Sequence, residues 1–128
     1  MVIQNYRDLV VWQKAMELTN MVLGISEKMP SSQRYVLCAQ MERSAISVPA
    51  NIAEGRSRHS ENDFIYHLNV ARGSLAELET LLMIAQQRKY IEVATLEKAM
   101  DLAQEITKML HKLKSSIRES ANVRLAKT

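Results

Sequence analysis

Seven cationic side chains carry most of the chemistry this sequence offers. Arg43, Arg56, Arg58, Lys108, Lys112, Lys114 and Arg118 are candidate contacts for an anionic polymer, because guanidinium and ammonium groups hold phosphate oxygens through charge-assisted hydrogen bonds. Lys108 and Lys112 stand four apart, as do Lys114 and Arg118, so each pair shares one side of a helix. Like charges at that spacing slightly destabilise an isolated helix. An anionic partner relieves the repulsion, and so do solvent and salt, so a plain solvated face stays open as a reading. The segment 108–128 is net +5 and the rest of the chain −2, an asymmetry that also suits cations at the negative end of a helix dipole. Arg56 and Arg58 fall at a turn expected at the opposite end of the molecule from the close of the last helix, outside any single patch with Lys108–Arg118.

Other chemistries lack their residues. Di-iron bundles draw ligands from Glu-x-x-His; the residues three before His59, His67 and His111 are Arg56, Phe64 and Lys108. The histidines are expected at the surface or rim. Glu77 and Glu79 diverge by about 200° on a helix, so they are no catalytic pair. Three scattered glycines build no phosphate loop, and no Gly-x-Ser-x-Gly elbow occurs. Cys38 stands alone, unable to form an internal disulfide or a cysteine metal site, and reads as a small buried hydrophobe in a reduced, cytoplasmic setting. No run of 18 apolar residues points to a membrane partner, and MVIQNYRDLV lacks the basic start and apolar core of a secretory signal. No catalytic residue, metal or cofactor is expected.

The elements that position these groups follow from composition and period. With 128 residues, 47% of them apolar, and only two prolines and three glycines, the chain suits one all-α domain over 1–120 with a frayed basic tail at 121–128. Leu9, Trp12, Ala15, Leu18 or Thr19, Val22 and Ile25 recur every three or four residues and predict a helix over 8–28. Met29-Pro30 ends it, and Ser31-Ser32 are expected to cap a second helix over 32–56. Its stripe, Leu37, Met41, Ala45, Val48 and Ile52, passes through Pro49 without losing phase. That favours one kinked, continuous helix over a fresh start at Pro49, although proline inside a helix costs about 3 kcal/mol and crowds the Ala45 carbonyl. Asn51 and Glu54, near Arg43, are expected to form a local network that fixes the kink, and Gly55 is a plausible terminus. Ser60 and Asp63 resemble a capping box at the head of a third helix, 61–88. It carries the seam Phe64, Leu68, Ala71, Leu75, Leu78, Leu82 and Ala85, with Gly73 expected to admit close approach of another helix. Leu96, Ala99, Ala103, Ile106, Leu110, Leu113 and Ile117 repeat the seam in a fourth helix, 93–118. Short connections predict an antiparallel up-down-up-down four-helix bundle. Val10, Val11, Met16, Met21, Leu23, Ile65, Val70 and Ile84 lie off the stripes. They signal either a thick core or a self-association face.

Three blocks, YRDLVVWQKA (6–15), ISVPANIAEGRSR (46–58) and ARGSLAELETLL (71–82), resemble the bacterial four-helix-bundle proteins encoded in intervening sequences of 23S rRNA genes. The likeness covers about residues 5 to 118. The matching positions include Trp12, Arg43, Pro49, Asn51, Glu54, Gly55, Arg56, Arg58, Gly73, Glu77 and Glu79, while Ser44 stands where relatives often carry a second basic residue. The resemblance implies a ring-like homopentamer with no catalytic residues. More remotely, the chain is similar to accessory proteins of diversity-generating retroelements, which bind a reverse transcriptase and nucleic acid. RNA or another polyanion, bound through the cations above, is the expected partner of the homo-oligomer. The alternative is a protein-partner scaffold with no sequence-specific RNA binding of its own.

Overall fold

The computed structural model describes residues 5–127. The reading of residues 1–4 as free of a leader, and Thr128 of the expected tail, lie outside them. Four α-helices and no strand occur among the described residues: α1 (Val10–Lys28), α2 (Ala39–Ser57), α3 (Glu61–Gln87) and α4 (Val93–Lys127). They bury their stripes against one another, consistent with a four-helix bundle. Leu18, Met41, Ile52, Leu68, Leu75, Leu78, Leu82 and Ile106 are fully enclosed, each worth about 1.5–3 kcal/mol of transfer free energy. Both Leu18 and Thr19 are buried, so α1 turns a wider face inward than one stripe.

Off-stripe residues divide. Val11 is buried, while Met21 and Ile65 pack against the core at its edge. Val10, Met16 and Ile84 remain exposed. Thick packing therefore accounts for part of the surplus.

The entry to α2 departs from a simple capped start. Ser31–Gln33 is a 3-10 turn without a side-chain cap, and Arg34–Cys38 is a π-turn. The wider turn tucks Cys38 into the core and turns Tyr35 outward, 88% exposed. Downstream, α2 runs unbroken through Pro49. Ser60 caps α3 by accepting from the Asp63 amide at 3.3 Å. At the other end of the chain, α4 continues nine residues past the expected limit of 118, to Lys127. The apolar period lapses there, but Arg124 pairs with Glu61 at the head of α3.

That ion pair corrects the expected layout. It sets the last turns of α4 beside the start of α3, and so beside the turn carrying Arg58. The α2–α3 turn and the close of α4 share one end of the bundle.

Candidate nucleic-acid interface

Two sets of polar residues emerge from the helices, one internal and one at the surface. The internal set surrounds Pro49. Proline has no N–H to offer the Ala45 carbonyl, and Thr19 of α1 supplies a substitute, its hydroxyl reaching Ala45 O at 3.1 Å as well as its own Ala15 O at 2.8 Å. One helical turn on, Asn51 donates from Nδ2 to Ser47 O at 2.8 Å and to Ser47 Oγ at 3.0 Å. Its Oδ1 is left to meet His67 Nδ1 at 3.0 Å, which places the imidazole proton on Nδ1. Ser47 and Ser74 share a hydroxyl hydrogen bond of 2.8 Å. Glu54 binds Arg58 at 2.7 Å and lies 4.0 Å from His67. The Arg58 hydrogen bond, helped by the charge of His67, holds the Glu54 carboxyl below the usual carboxylate range.

Small residues make this network possible. At Gly55 an added Cβ would lie 2.7 Å from His67 Cβ and 3.3 Å from the Phe64 carbonyl, so α3 approaches α2 there as no side chain would permit. Gly73, expected to play that part, is exposed, with nothing within 4 Å of its Cβ position. His67, expected at the rim, is 9% exposed because it reaches across to Asn51. Arg43 stands exposed and outside the network. Ser44 is buried with its hydroxyl on Met41 O at 3.1 Å, a position with no room for a basic chain. Trp12 is partly buried and packs edge-on to Tyr6 at 5.3 Å. Glu77 is exposed, whereas burial pushes the half-buried Glu79 carboxyl above its ordinary range.

The surface set lies mainly along α4. Lys114 donates to Asn69 of α3 at 3.1 Å. It shares a narrow cleft with Arg72, Asn69 and His111, floored by Leu68 and Leu110. Arg118, four residues on, is exposed. Lys112 turns the other way, into a groove with Leu9, Val10, Met109 and Leu113 on the α1 side, and Lys108 is exposed. Arg58 is engaged by Glu54, and Arg56 is half-buried at the close of α2. The seven candidates thus divide between faces. The cleft gathers two groups that the basic-residue reading left out, Arg72 and the imidazole of His111. Arg72 was available from the pattern: it follows the buried seam residue Ala71, which places it on the flank of α3 beside α4.

No group of three or more His, Cys, Asp or Glu side chains suited to a metal occurs among the described residues. The α3–α4 cleft is lined by donors without acceptor carboxylates; at about 10 Å³ it is too small to enclose a phosphate or sulfate, so such oxygens would meet these groups at its mouth.

Comparison with known proteins agrees with this frame. The family model described as 23S rRNA-intervening sequence protein matches residues 7–112. The chain belongs to that family. A solved structure, described as a protein with unknown function from the S23 ribosomal protein family of Bacteroides thetaiotaomicron, is 29% identical. The match covers 83% of this chain and 96% of that one, with a TM-score of 0.78. A search of curated proteins finds no match. Neither the family description nor that of the neighbour names a reaction. No helix among the described residues is long and apolar enough to cross a membrane.

Proposed function

We propose that this member of the 23S rRNA-intervening sequence protein family is a non-catalytic, cytoplasmic subunit that assembles as a homopentamer and binds RNA through its α3–α4 face. The observation that carries the binding reading is the convergence of Arg72, His111 and Lys114 on one cleft, with Lys114 steadied by Asn69. The contacts Ser47–Ser74, Asn51–His67 and Gly55–Phe64 run down α2 as they run up α3, which supports the antiparallel, up-down arrangement. The exposed Val10, Met16 and Ile84 support self-assembly. A closed ring repeats a modest cationic cleft on every subunit, and multivalent contact raises avidity without further chemistry. Aromatics are only 5% of the chain, so backbone contact outweighs base stacking.

The test is retention of a 23S-derived RNA fragment between 50 and 200 mM salt. Phosphate contacts predict a steep fall, and removing one cation lowers the logarithmic slope by roughly 0.7–0.9. Retention that stays level across that range rejects the proposal. Pull-down after nuclease treatment separates the scaffold alternative, in which a protein partner survives digestion. Light scattering measures the subunit number.

A further inference from the structure

Two buried sulfur atoms meet across the α1–α2 connection. Met29 closes α1, and Cys38 ends the π-turn Arg34–Cys38. Cys38 Sγ lies 4.0 Å from Met29 Sδ. π-turns are rare and frequently mark functional sites, and this one sets the register that brings the thiol to the thioether. Both residues line a cavity of about 140 Å³, together with Ser26, Glu27, Arg34 and Glu42.

Ser26 is the informative member of that wall. Its carbonyl lies 3.7 Å from Cys38 Sγ. The residue is 7% exposed, and its enclosed hydroxyl has no hydrogen-bond partner. Buried hydroxyls are costly to leave unpaired, so one kept at a cavity wall points to a ligand of the cavity. The sulfur separation says which kind. Metal–thiolate bonds are about 2.3 Å long, and two sulfurs at that range from one ion stand 4.0 Å apart when they subtend about 120°, the opening of a three-coordinate centre. Thiolate and thioether are soft donors, the pair that selects copper(I). Zinc sites take four ligands, and neither a histidine nor a second cysteine lines this cavity.

We propose that Cys38 and Met29 bind a soft monovalent cation, copper(I), within each subunit. A single cysteine builds no all-cysteine metal site; here its fellow ligand is a thioether. The ion takes the place of the thiol proton. The Sγ–H bond breaks, a sulfur–copper bond forms and the proton leaves to solvent, with no change of oxidation state. The thiolate neutralises the ion, and Sδ adds a second bond from its lone pair. A water at the third position gives the Ser26 hydroxyl the partner it lacks. In the wall, two carboxylates, Glu27 and Glu42, outnumber the Arg34 guanidinium, which favours entry of a cation. Because Met29 opens the connection and Cys38 closes it, the bound ion clips the end of α1 to the start of α2.

The test is an anaerobic titration of the full, reduced chain with copper(I) held by the chelator bicinchoninate. Wild type is expected to take one ion per chain. Silver(I), a redox-inert probe of the same site, is expected to raise the urea midpoint, because a ligand of the folded state stabilises it by mass action. Cys38→Ser and Cys38→Ala are each expected to abolish uptake. Met29→Leu conserves apolar volume and is expected to weaken uptake by roughly 10- to 100-fold. Met109→Leu, at the core edge on α4, leaves uptake unchanged. Circular dichroism establishes that each variant is folded; should the Cys38 variants fail to fold, Met29→Leu, which keeps the thiol, decides the matter. A wild type that leaves all copper(I) with the chelator overturns the site. So does uptake that survives in folded Cys38 variants, or uptake by Met29→Leu equal to that of wild type. One ion per two chains also overturns it, by assigning the metal to a contact between copies.

Discussion

The packing around Pro49 and the α3–α4 seam hold the bundle together by different means. Around Pro49 the helices approach closely over Gly55, and four polar side chains, Thr19, Ser47, Asn51 and His67, connect backbone and neighbours inside the bundle. Along α3–α4, leucine and alanine knobs fill the interior, and the polar contacts Lys114–Asn69 and Arg124–Glu61 stand at the rim. The difference teaches a division of labour. Where polar groups are enclosed, each must find a partner, so the sequence is constrained by shape. Where they stand at the rim, the same helices leave the charge pattern free to serve a ligand.

The sharpest challenge to this contrast is one substitution made at two glycines. Gly55→Ala forces a Cβ to 2.7 Å from His67 Cβ and is expected to cost about 2 kcal/mol, overpacking outweighing the gain in helix propensity. Gly73→Ala, with open space around it, is expected to gain about 1 kcal/mol. Urea midpoints of both variants measure the difference; equal signs would break the contrast.

Thr19→Val comes next. It keeps the shape and removes the donor to Ala45 O, with an expected loss of about 2 kcal/mol. In a Pro49→Ala background the restored amide serves that carbonyl, so the loss shrinks by about 1 kcal/mol in a double-mutant cycle. An unchanged loss in both backgrounds shows that Thr19 acts through Ala15 O or packing instead.

On the seam side, Arg72→Ala combined with Lys114→Ala is expected to leave stability within about 0.5 kcal/mol while RNA retention falls at every salt concentration. Loss of stability without loss of retention reverses the assignment of the two regions.

The smallest effect concerns Glu54, whose carboxyl is held low by Arg58 and His67. A depressed carboxylate adds stability above its unfolded-state pKa, and that contribution disappears as pH falls through its folded-state value. Glu54→Gln is therefore expected to lower the urea midpoint slightly at pH 7 and to match wild type at pH 3.

The helices were legible because their apolar period is regular: the seams Leu68–Ala85 and Ala99–Leu110 are buried as the spacing requires. Continuity through Pro49 was legible from phase. What makes it tolerable was not, because Thr19 lies 26 residues from Ala45 and its hydroxyl looks like any seam-flanking threonine. The glycines were read by position in the helix rather than by the neighbour they meet, so the close approach assigned to Gly73 belongs to Gly55. A π-turn leaves no periodic signature in five residues. The cationic site was legible only in part. Lys114 and Arg118 follow from spacing, but the cleft needs Arg72 from another helix, and periodicity within one helix does not specify which flank meets which.

Trp12, the chain's lone indole, rests on Tyr6 of the 3-10 turn Tyr6–Asp8 ahead of α1. Its emission is thus a built-in optical gauge of whether the amino-terminal strap is seated. Colour shift and quenching at that single fluorophore will distinguish detachment of the strap from melting of the whole subunit.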